Sequence, residues 1–336
     1  MESLANKYRP HTFEEVVGQE YIIKILRRQV ELNQFKNCYM FCGPSGCGKT
    51  TLARIFANEI NCGDGFPIEI DAASNNGVDN VKQIVAEASE RSVHSKYKIY
   101  IIDECHSLTQ QAWQAFLKCI EEPPTYTIFM FATTDPQKVP DTIMNRCMRF
   151  NIQKIPSEQI VERLNKICEQ EGFKNYETTT DLISKMCKNQ CRDAISMLDK
   201  VAAYGDEFDY EVSSNILGGV SYDIYFQLIN ALIDGDQGSV FKIVDNLNRS
   251  GIDFKVFTDK FLEFNLDLLG FLLLGITRTV PVKYAEMVKK ATNLSEADNY
   301  YDYVCDRLIA LKNSLKGSVD TMTTVQVALL QICRLV

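Results

Sequence analysis

One short segment combines the residues that phosphate chemistry requires. Residues 43–50 read GPSGCGKT, which fits the pattern G-x-x-x-x-G-K-[ST]. An apolar run at 37–42 predicts a strand before it, and the spacing of apolar residues over 50–60 predicts a helix after it. Backbone N–H groups of such a loop can surround a phosphate at a helix N-terminus. We therefore predict an ATP site in which Lys49 neutralises the β- and γ-phosphates and the Thr50 hydroxyl ligates Mg²⁺.

A second segment, IYIIDECH at 99–106, supplies two carboxylates. Its four apolar residues predict a buried strand, so Asp103 and Glu104 stand at the strand end. We expect Asp103 to hold the Mg²⁺ through water and Glu104 to polarise the attacking water. The alternative is a solvated loop without function, and the phosphate-binding pattern upstream argues against it.

The strand predicted at 127–134 ends in Thr133 and Thr134. Taken alone, two threonines at a strand end usually have a structural role. Because this strand follows the phosphate loop and the carboxylate segment, a hydroxyl at its end would face the γ-phosphate and could act as a sensor of it.

Strands and helices alternate over residues 1–155 and then give way to helices alone. The apolar strand runs lie at 37–43, 68–71, 98–103, 127–134 and 147–152. Such runs separated by helices indicate a parallel sheet covered on both faces. Thr109 is a candidate cap for the helix at 110–122, which Pro123-Pro124 ends. Residues 156–207 read as three helices and 208–336 as about six more, with breaks that include Pro281.

The composition excludes several classes of protein. The chain has 336 residues, 46% hydrophobic and 24% charged, and its N-terminus carries no signal-peptide pattern. The most apolar stretch, 264–276, is too short to span a membrane and is interpreted as a buried helix. We therefore expect a cytoplasmic protein that binds no membrane, and free thiols at its twelve cysteines, none of which form a C-x-x-C pair.

Charge is unevenly distributed. The net charge is -8, and residues 1–155 are nearly neutral whereas residues 156–336 hold most of the acidic excess. This balance argues against a general nucleic-acid binder but leaves room for a local basic stripe within an assembly.

Seven segments, in this order, resemble the gamma/tau subunits of bacterial DNA polymerase III, the ATPases of the sliding-clamp loader in the AAA+ superfamily. They are KYRPHTFEEVVGQE, GPSGCGKTTLARIFA, IEIDAAS, IIDECH, LKCIEEPP, ATTDPQKVP and NRCMRF. The resemblance is strong to about residue 205 and compatible beyond it. It implies an α/β P-loop AAA+ ATPase domain with a five-stranded parallel sheet at 1–155, a three-helix lid at 156–207 and an all-α collar for oligomerisation at 208–336.

The resemblance also implies site residues for the nucleotide. The segment that surrounds the adenine corresponds to Tyr8, Arg9, Pro10, Val16 and Val17. The phosphate loop corresponds to Gly43, Pro44, Ser45, Gly46, Cys47, Gly48, Lys49, Thr50 and Thr51.

Three further residues match positions that sense or complete the site. Thr134 matches the sensor 1 position, and Arg192 in CRDA matches the sensor 2 arginine of the lid. Arg146, in NRC where the family usually has SRC, matches the arginine finger that reaches the γ-phosphate of the next subunit. Without the motif, a surface salt bridge would be the simpler interpretation of Arg146.

The chain departs from the family in three ways. Only Cys62 remains of the four-cysteine zinc module, and one thiolate cannot build a four-ligand site, so we predict no zinc. We expect the long tail of tau forms to be missing, as in a phage or divergent bacterial version. The basic residues after IEIDAAS are absent, so Lys82 and Lys118 are the candidate DNA-facing residues.

The resemblance predicts a motor subunit of a probable pentamer, with other clamp-loader subunits, the sliding clamp and primer–template DNA as partners. Two other functions are alternatives: a different AAA+ motor, such as a branch-migration helicase, and a non-catalytic clamp-loader scaffold. Trp113, the single tryptophan, is interpreted as core or subunit-interface packing and not as a base-stacking residue.

Overall fold

The computed structural model describes residues 2–92, 95–280, 284–294 and 297–333. The chain divides into two compact units, Met1–Glu207 and Phe208–Val336. The break predicted at Pro281 lies outside the described residues.

The first unit is built on a sheet of five parallel strands. They are β1 (Cys38–Cys42), β2 (Ile68–Asp71), β3 (Lys98–Asp103), β4 (Thr127–Thr133) and β5 (Met148–Asn151), in the spatial order β2-β3-β4-β1-β5. This confirms the predicted sheet. All pairs are parallel, and β4 lies between β1 and β3. The carboxyl ends of these three strands, where the predicted motifs stand, therefore meet at one edge.

Nine helices are described in this unit. They are α1 (Leu4–Lys7), α2 (Glu20–Leu32), α3 (Lys49–Ile60), α4 (Val78–Ala88), α5 (Gln110–Glu121), α6 (Asp141–Met144), α7 (Ser157–Glu171), α8 (Glu177–Met186) and α9 (Cys191–Ala202). Alternate residues of each central strand enter two apolar clusters, one with α4 and α5 and one with α2 and α3. Both faces of the sheet are covered, as predicted.

Helix α5 follows its sequence signals closely. The Thr109 side chain accepts a hydrogen bond from the Ala112 N–H at 3.2 Å, so the predicted cap is confirmed. Trp113 is only 3% exposed, and its ring centroid lies 5.4 Å from that of Phe131 on β4. The interpretation of Trp113 as a packing residue is confirmed, and its place is in the core of its own chain.

The second unit is helical throughout its described residues. Its helices are α10 (Tyr210–Ile216), α11 (Tyr222–Ile233), α12 (Gln237–Arg249), α13 (Phe254–Leu274), α14 (Ala285–Thr292), α15 (Ala297–Ser314) and α16 (Thr321–Cys333). They share one apolar core rich in aromatic rings, in which Phe226 and Phe264 meet edge to face at 4.9 Å.

The apolar stretch 264–276 lies on α13, and its acidic residue has a structural explanation. Asp267 is buried and accepts hydrogen bonds from the N–H groups of Arg278, Thr279 and Val280. The prediction of a buried helix is wrong at its end, because Leu273, Leu274 and Ile276 are 60–69% exposed. No described helix is long and apolar enough to cross a bilayer.

Two cysteines depart from the prediction of free thiols. Cys38 and Cys147 form a disulfide, with their Cα atoms 4.7 Å apart. The register explains the pairing: Tyr39 lies opposite Met148 in the β1–β5 ladder, so the preceding cysteines face each other. The other ten cysteines are free, and Cys62 is exposed. Within the described ranges, no group of three or more His, Cys, Asp or Glu residues is arranged to hold a metal ion.

Candidate nucleotide site

The phosphate loop joins β1 to α3 and has little room for side chains. A Cβ atom on Gly43 would lie 2.5 Å from the Ile152 carbonyl oxygen, so only glycine fits against β5 and its extension. Gly46 and Gly48 have φ of 68° and 97°, a region that favours glycine. A Cβ atom on Gly48 would meet nothing within 4 Å, so the loop faces open space there. The loop therefore has the shape of a cradle for an anionic group at the start of α3.

Lys49 is the first residue of α3 and is only 6% exposed. Its Nζ donates to the Pro44 carbonyl at 2.9 Å, across the loop. Burial lowers the pKa of Lys49, and the nearby carboxylates of Glu104 and Asp103 oppose that shift. The lysine charge is thus held under the loop, where a bound phosphate would neutralise it.

Thr50 and Asp103 bring a hydroxyl and a carboxylate together. The Thr50 Oγ1 donates to Asp103 Oδ2 at 2.7 Å, and the other carboxylate oxygen accepts from the Glu104 N–H at 2.9 Å. Mg²⁺ prefers oxygen ligands and is commonly held by one or two carboxylates beside phosphates. These two residues fit that ion, as the sequence predicted.

Glu104 has an unusual backbone and a fixed side chain. Its φ of 45° is left-handed, which is rare for a residue other than glycine and is often found at functional sites. Its Oε2 accepts from Thr134 Oγ1 at 3.0 Å and lies 3.3 Å from His106 Nδ1. Thr134 was predicted to face the γ-phosphate, and here its hydroxyl bonds the carboxylate predicted to polarise water.

The predicted adenine and phosphate residues line one pocket. It contains every residue predicted for the adenine, Arg192, and most of the phosphate loop, together with Asp103 and Glu104. Gly43 and Pro44 support the loop from outside this lining. Sequence analysis missed six lining residues: Ala5, Asn6, Ile155, Arg163, Cys191 and Ile195.

The first residues of the chain are fixed to the helices that follow the sheet. Helix α1 packs against α9. Tyr8 Oη donates to Glu171 Oε1 at 2.5 Å, Lys7 Nζ pairs with the same oxygen at 2.6 Å, and Arg163 Nη2 donates to the Tyr8 carbonyl at 2.8 Å. Burial, and then the hydrogen bond to Glu171, raises the pKa of Tyr8 to about 12. The Arg192 N–H also reaches the Gly46 carbonyl at 3.4 Å, so α9 contacts the phosphate loop directly.

Besides Gly43 and Pro44, four predicted residues are absent from this lining: Thr134, which contacts it through Glu104, and Arg146, Lys82 and Lys118. Arg146 pairs with Glu121 Oε1 at 2.6 Å and donates to the Thr142 carbonyl at 2.8 Å. Lys82 on α4 is exposed, 3.6 Å from Asp79, and Lys118 on α5 is exposed.

Comparisons with known proteins agree with this arrangement. A family model described as DNA polymerase III, delta subunit matches residues 64–156. The tau subunit of DNA polymerase III from Bacillus subtilis is 34% identical over 99% of this chain and 63% of its own length. The tau subunit from Escherichia coli is 32% identical over 75% of this chain and 43% of its own length.

Solved structures show the same fold at lower identity. Thermotoga maritima RuvB, titled a Holliday junction branch migration motor, superposes with a TM-score of 0.53 at 18% identity, covering 73% of this chain and 86% of its own. This likeness concerns the fold alone. The sequence relatives are more specific: the chain is a homologue of the tau and gamma subunits of bacterial DNA polymerase III, and it spans about two fifths to two thirds of the length of those it matches.

Proposed function

We propose that the chain is an ATP-hydrolysing motor subunit of a sliding-clamp loader. One observation carries this proposal: a single pocket gathers the phosphate loop, the Thr50–Asp103 pair, Glu104 and Arg192. The pocket lies in a chain that is homologous to a DNA polymerase III tau subunit along 99% of its length.

The chemistry follows from the geometry of this pocket. Lys49 and the loop N–H groups bind and neutralise the phosphates, while Thr50 and Asp103 hold Mg²⁺. The ion supplies further neutralisation of the charge that develops on the phosphates. Glu104 polarises the attacking water, and Thr134 fixes the direction of the Glu104 carboxylate. Arg192 links the nucleotide to the lid helices, since α9 already contacts the phosphate loop.

Arg146 is proposed to act in a neighbouring subunit. It is absent from the pocket lining of its own chain, and its guanidinium is held by Glu121 and Thr142. An arginine finger supplied in trans stabilises transition-state charge in related NTPases. The working enzyme is then an oligomer, a pentamer of clamp-loader subunits, and the isolated chain hydrolyses ATP slowly.

The remaining roles are assigned within that assembly. ATP binding closes the spiral of subunits, which opens the clamp and grips primer–template DNA, and hydrolysis releases both. Lys82 and Lys118 contact DNA. Residues 156–207 form the lid and 208–336 the collar. We expect ATP and Mg²⁺ but no zinc, and a cytoplasmic location.

A branch-migration motor and a catalytically inactive scaffold are the alternatives. The likeness to RuvB is at 18% identity and supports the shared fold, whereas the tau relatives are 32–34% identical. A scaffold does not require the Lys49, Thr50, Asp103 and Glu104 side chains to converge on one pocket. Neither alternative is favoured by a specific observation.

The test is ATP hydrolysis by the reconstituted complex, with and without clamp and primed DNA. We expect clamp and DNA together to stimulate the wild type. Glu104→Gln should still bind ATP but lose hydrolysis, and Glu122→Gln, at an exposed position at the end of α5 and outside the pocket lining, should behave like the wild type. An unstimulated rate, or strand displacement without clamp loading, would reject the proposal.

A further inference from the structure

His106 lies beside Glu104 in a short turn, Cys105–Ser107, that follows β3. Its side chain is 19% exposed and that of Glu104 is 34% exposed. The His106 Nδ1 is 3.3 Å from Glu104 Oε2 and 3.2 Å from Thr133 Oγ1. One ring nitrogen therefore faces both the carboxylate and the end of β4.

The partners of this nitrogen select its tautomer. Nδ1 is hydrogen-bonded to Thr133 Oγ1, and Glu104 Oε2 is a second polar contact at 3.3 Å. Because an ionised carboxylate has no hydrogen to donate, this second contact is favourable when Nδ1 carries the hydrogen. Thr133 Oγ1 already accepts from the Asp135 N–H at 3.0 Å, which leaves its own hydroxyl free to rotate. Nδ1–H facing Glu104 is the arrangement that avoids two lone pairs in contact.

The same contacts tie Glu104 to the phosphate loop. Thr133 is fully buried, and its carbonyl accepts from the Gly43 N–H at 3.1 Å. His106 thus connects the carboxylate, through Thr133, to the first residue of the loop. Thr134 donates to the same Glu104 oxygen from the neighbouring position on the chain. Glu104 Oε2 thus has one hydrogen bond, from Thr134, and one polar contact, with His106, while Glu104 itself lines the pocket.

We propose that His106 is a positioning residue for ATP hydrolysis: its Nδ1–H orients the Glu104 carboxylate towards the attacking water. The inference rests on the proposed ATPase function and adds a residue to it. His106 itself contacts neither nucleotide nor water in this role. Displacement of a catalytic group by about 1 Å can cost about 100-fold in rate.

Two substitutions of similar polarity separate this role from a structural one. The amide nitrogen of asparagine can occupy the place of Nδ1, whereas that of glutamine corresponds to Nε2. We expect His106→Asn to keep kcat for ATP within about threefold of the wild type, and His106→Gln and His106→Leu to lower it by about 10- to 100-fold. The KM for ATP should be unchanged in all three, because the residue holds Glu104 and not the nucleotide.

The measurement is steady-state hydrolysis of Mg·ATP by the full chain in its complex, with ATP affinity and thermal unfolding recorded for each variant. Ser107→Ala, in the same turn, is the matched control and should match the wild type. Equal kcat values for His106→Asn and His106→Gln would overturn the inference. A rise in KM accompanied by a fall in melting temperature would overturn it as well. A wild-type complex without ATPase activity would instead reject the proposed function.

Discussion

The phosphate loop and the turn at Arg146 each present a cation proposed to meet the γ-phosphate, but they hold it differently. Lys49 is buried, donates to a neutral carbonyl and faces a pocket of its own chain. The Arg146 side chain is 40% exposed and is paired with Glu121. Lys49 is therefore ready for a ligand, whereas Arg146 must leave an ion pair to reach one. Under the proposed function, Lys49 belongs to a preorganised half of the site, and Arg146 to a half that only assembly would bring into use.

The largest expected effect tests the second half. Arg146→Ala should lower kcat for ATP in the reconstituted complex by about 10³-fold, the low end for arginine fingers. The ATP affinity of the isolated chain should not change, because Arg146 lies outside its pocket. Arg28→Ala, which removes an exposed arginine from α2, is the control. If Arg146→Ala weakened ATP binding to the isolated chain, Arg146 would act in the nucleotide site of its own chain, and it would no longer differ from Lys49 in this respect.

The next effect tests the first half. Lys49→Ala should weaken ATP binding to the isolated chain by about 30- to 150-fold, because a hydrogen bond to a charged group is worth about 2–3 kcal/mol. Titration calorimetry at fixed salt measures it, with the exposed Lys36→Ala as the control. If both variants bind ATP equally well, the loop is not the phosphate site.

A smaller effect tests the ion pair with Glu121, which Arg146 makes and Lys49 does not. Glu121→Gln removes the charge that holds Arg146, and exposed pairs are worth about 0.2–1 kcal/mol. Hydrolysis by the complex should therefore rise by up to about fivefold. A fall towards the rate of Arg146→Ala would show that Glu121 aims the finger and does not restrain it.

The smallest effect concerns Glu171, which accepts hydrogen bonds from Lys7 and Tyr8 beside the pocket. Hydrogen bonds from Lys7 and then Tyr8 lower the pKa of Glu171. A carboxyl group with a lowered pKa stabilises the fold above its unfolded pKa, near 4.5, and loses this contribution as pH falls through the folded value. The difference in unfolding free energy between wild type and Glu171→Gln should be constant at neutral pH and shrink below about pH 4.5. Glu162→Gln, which removes an exposed carboxylate from the same helix, is the control variant.

The sheet and the heart of the pocket were predictable because local signals determine them. Near-continuous apolar runs between helices are typical of buried parallel strands, and the loop needs glycine at Gly46 and Gly48, where φ is positive. The adenine residues were assigned by resemblance alone, and the structure places all five in the pocket lining.

Other contacts depend on tertiary packing and left no local signal. Arg163 and Cys191 enter the pocket because helices α7 and α9 fold back over residues 4–10. The Cys38–Cys147 pairing follows from the register between two strands that are far apart in sequence. His106 did have a signal, since it stands two residues after Glu104 at a strand end, but only the structure shows which nitrogen meets which oxygen.

The hydrogen bonds between the N-terminal segment and α7 also determine the order in which parts of the pocket can form during synthesis. Tyr8 meets Glu171 across 163 residues, and its carbonyl meets Arg163 across 155. At roughly 10 residues per second, the ribosome releases residues 4–10 about 15 seconds before their partners. The sheet and phosphate loop can fold in that interval, but the adenine side of the pocket cannot close. A nascent chain is thus expected to complete its phosphate loop first, and the opposite side of the pocket only when α7 has emerged.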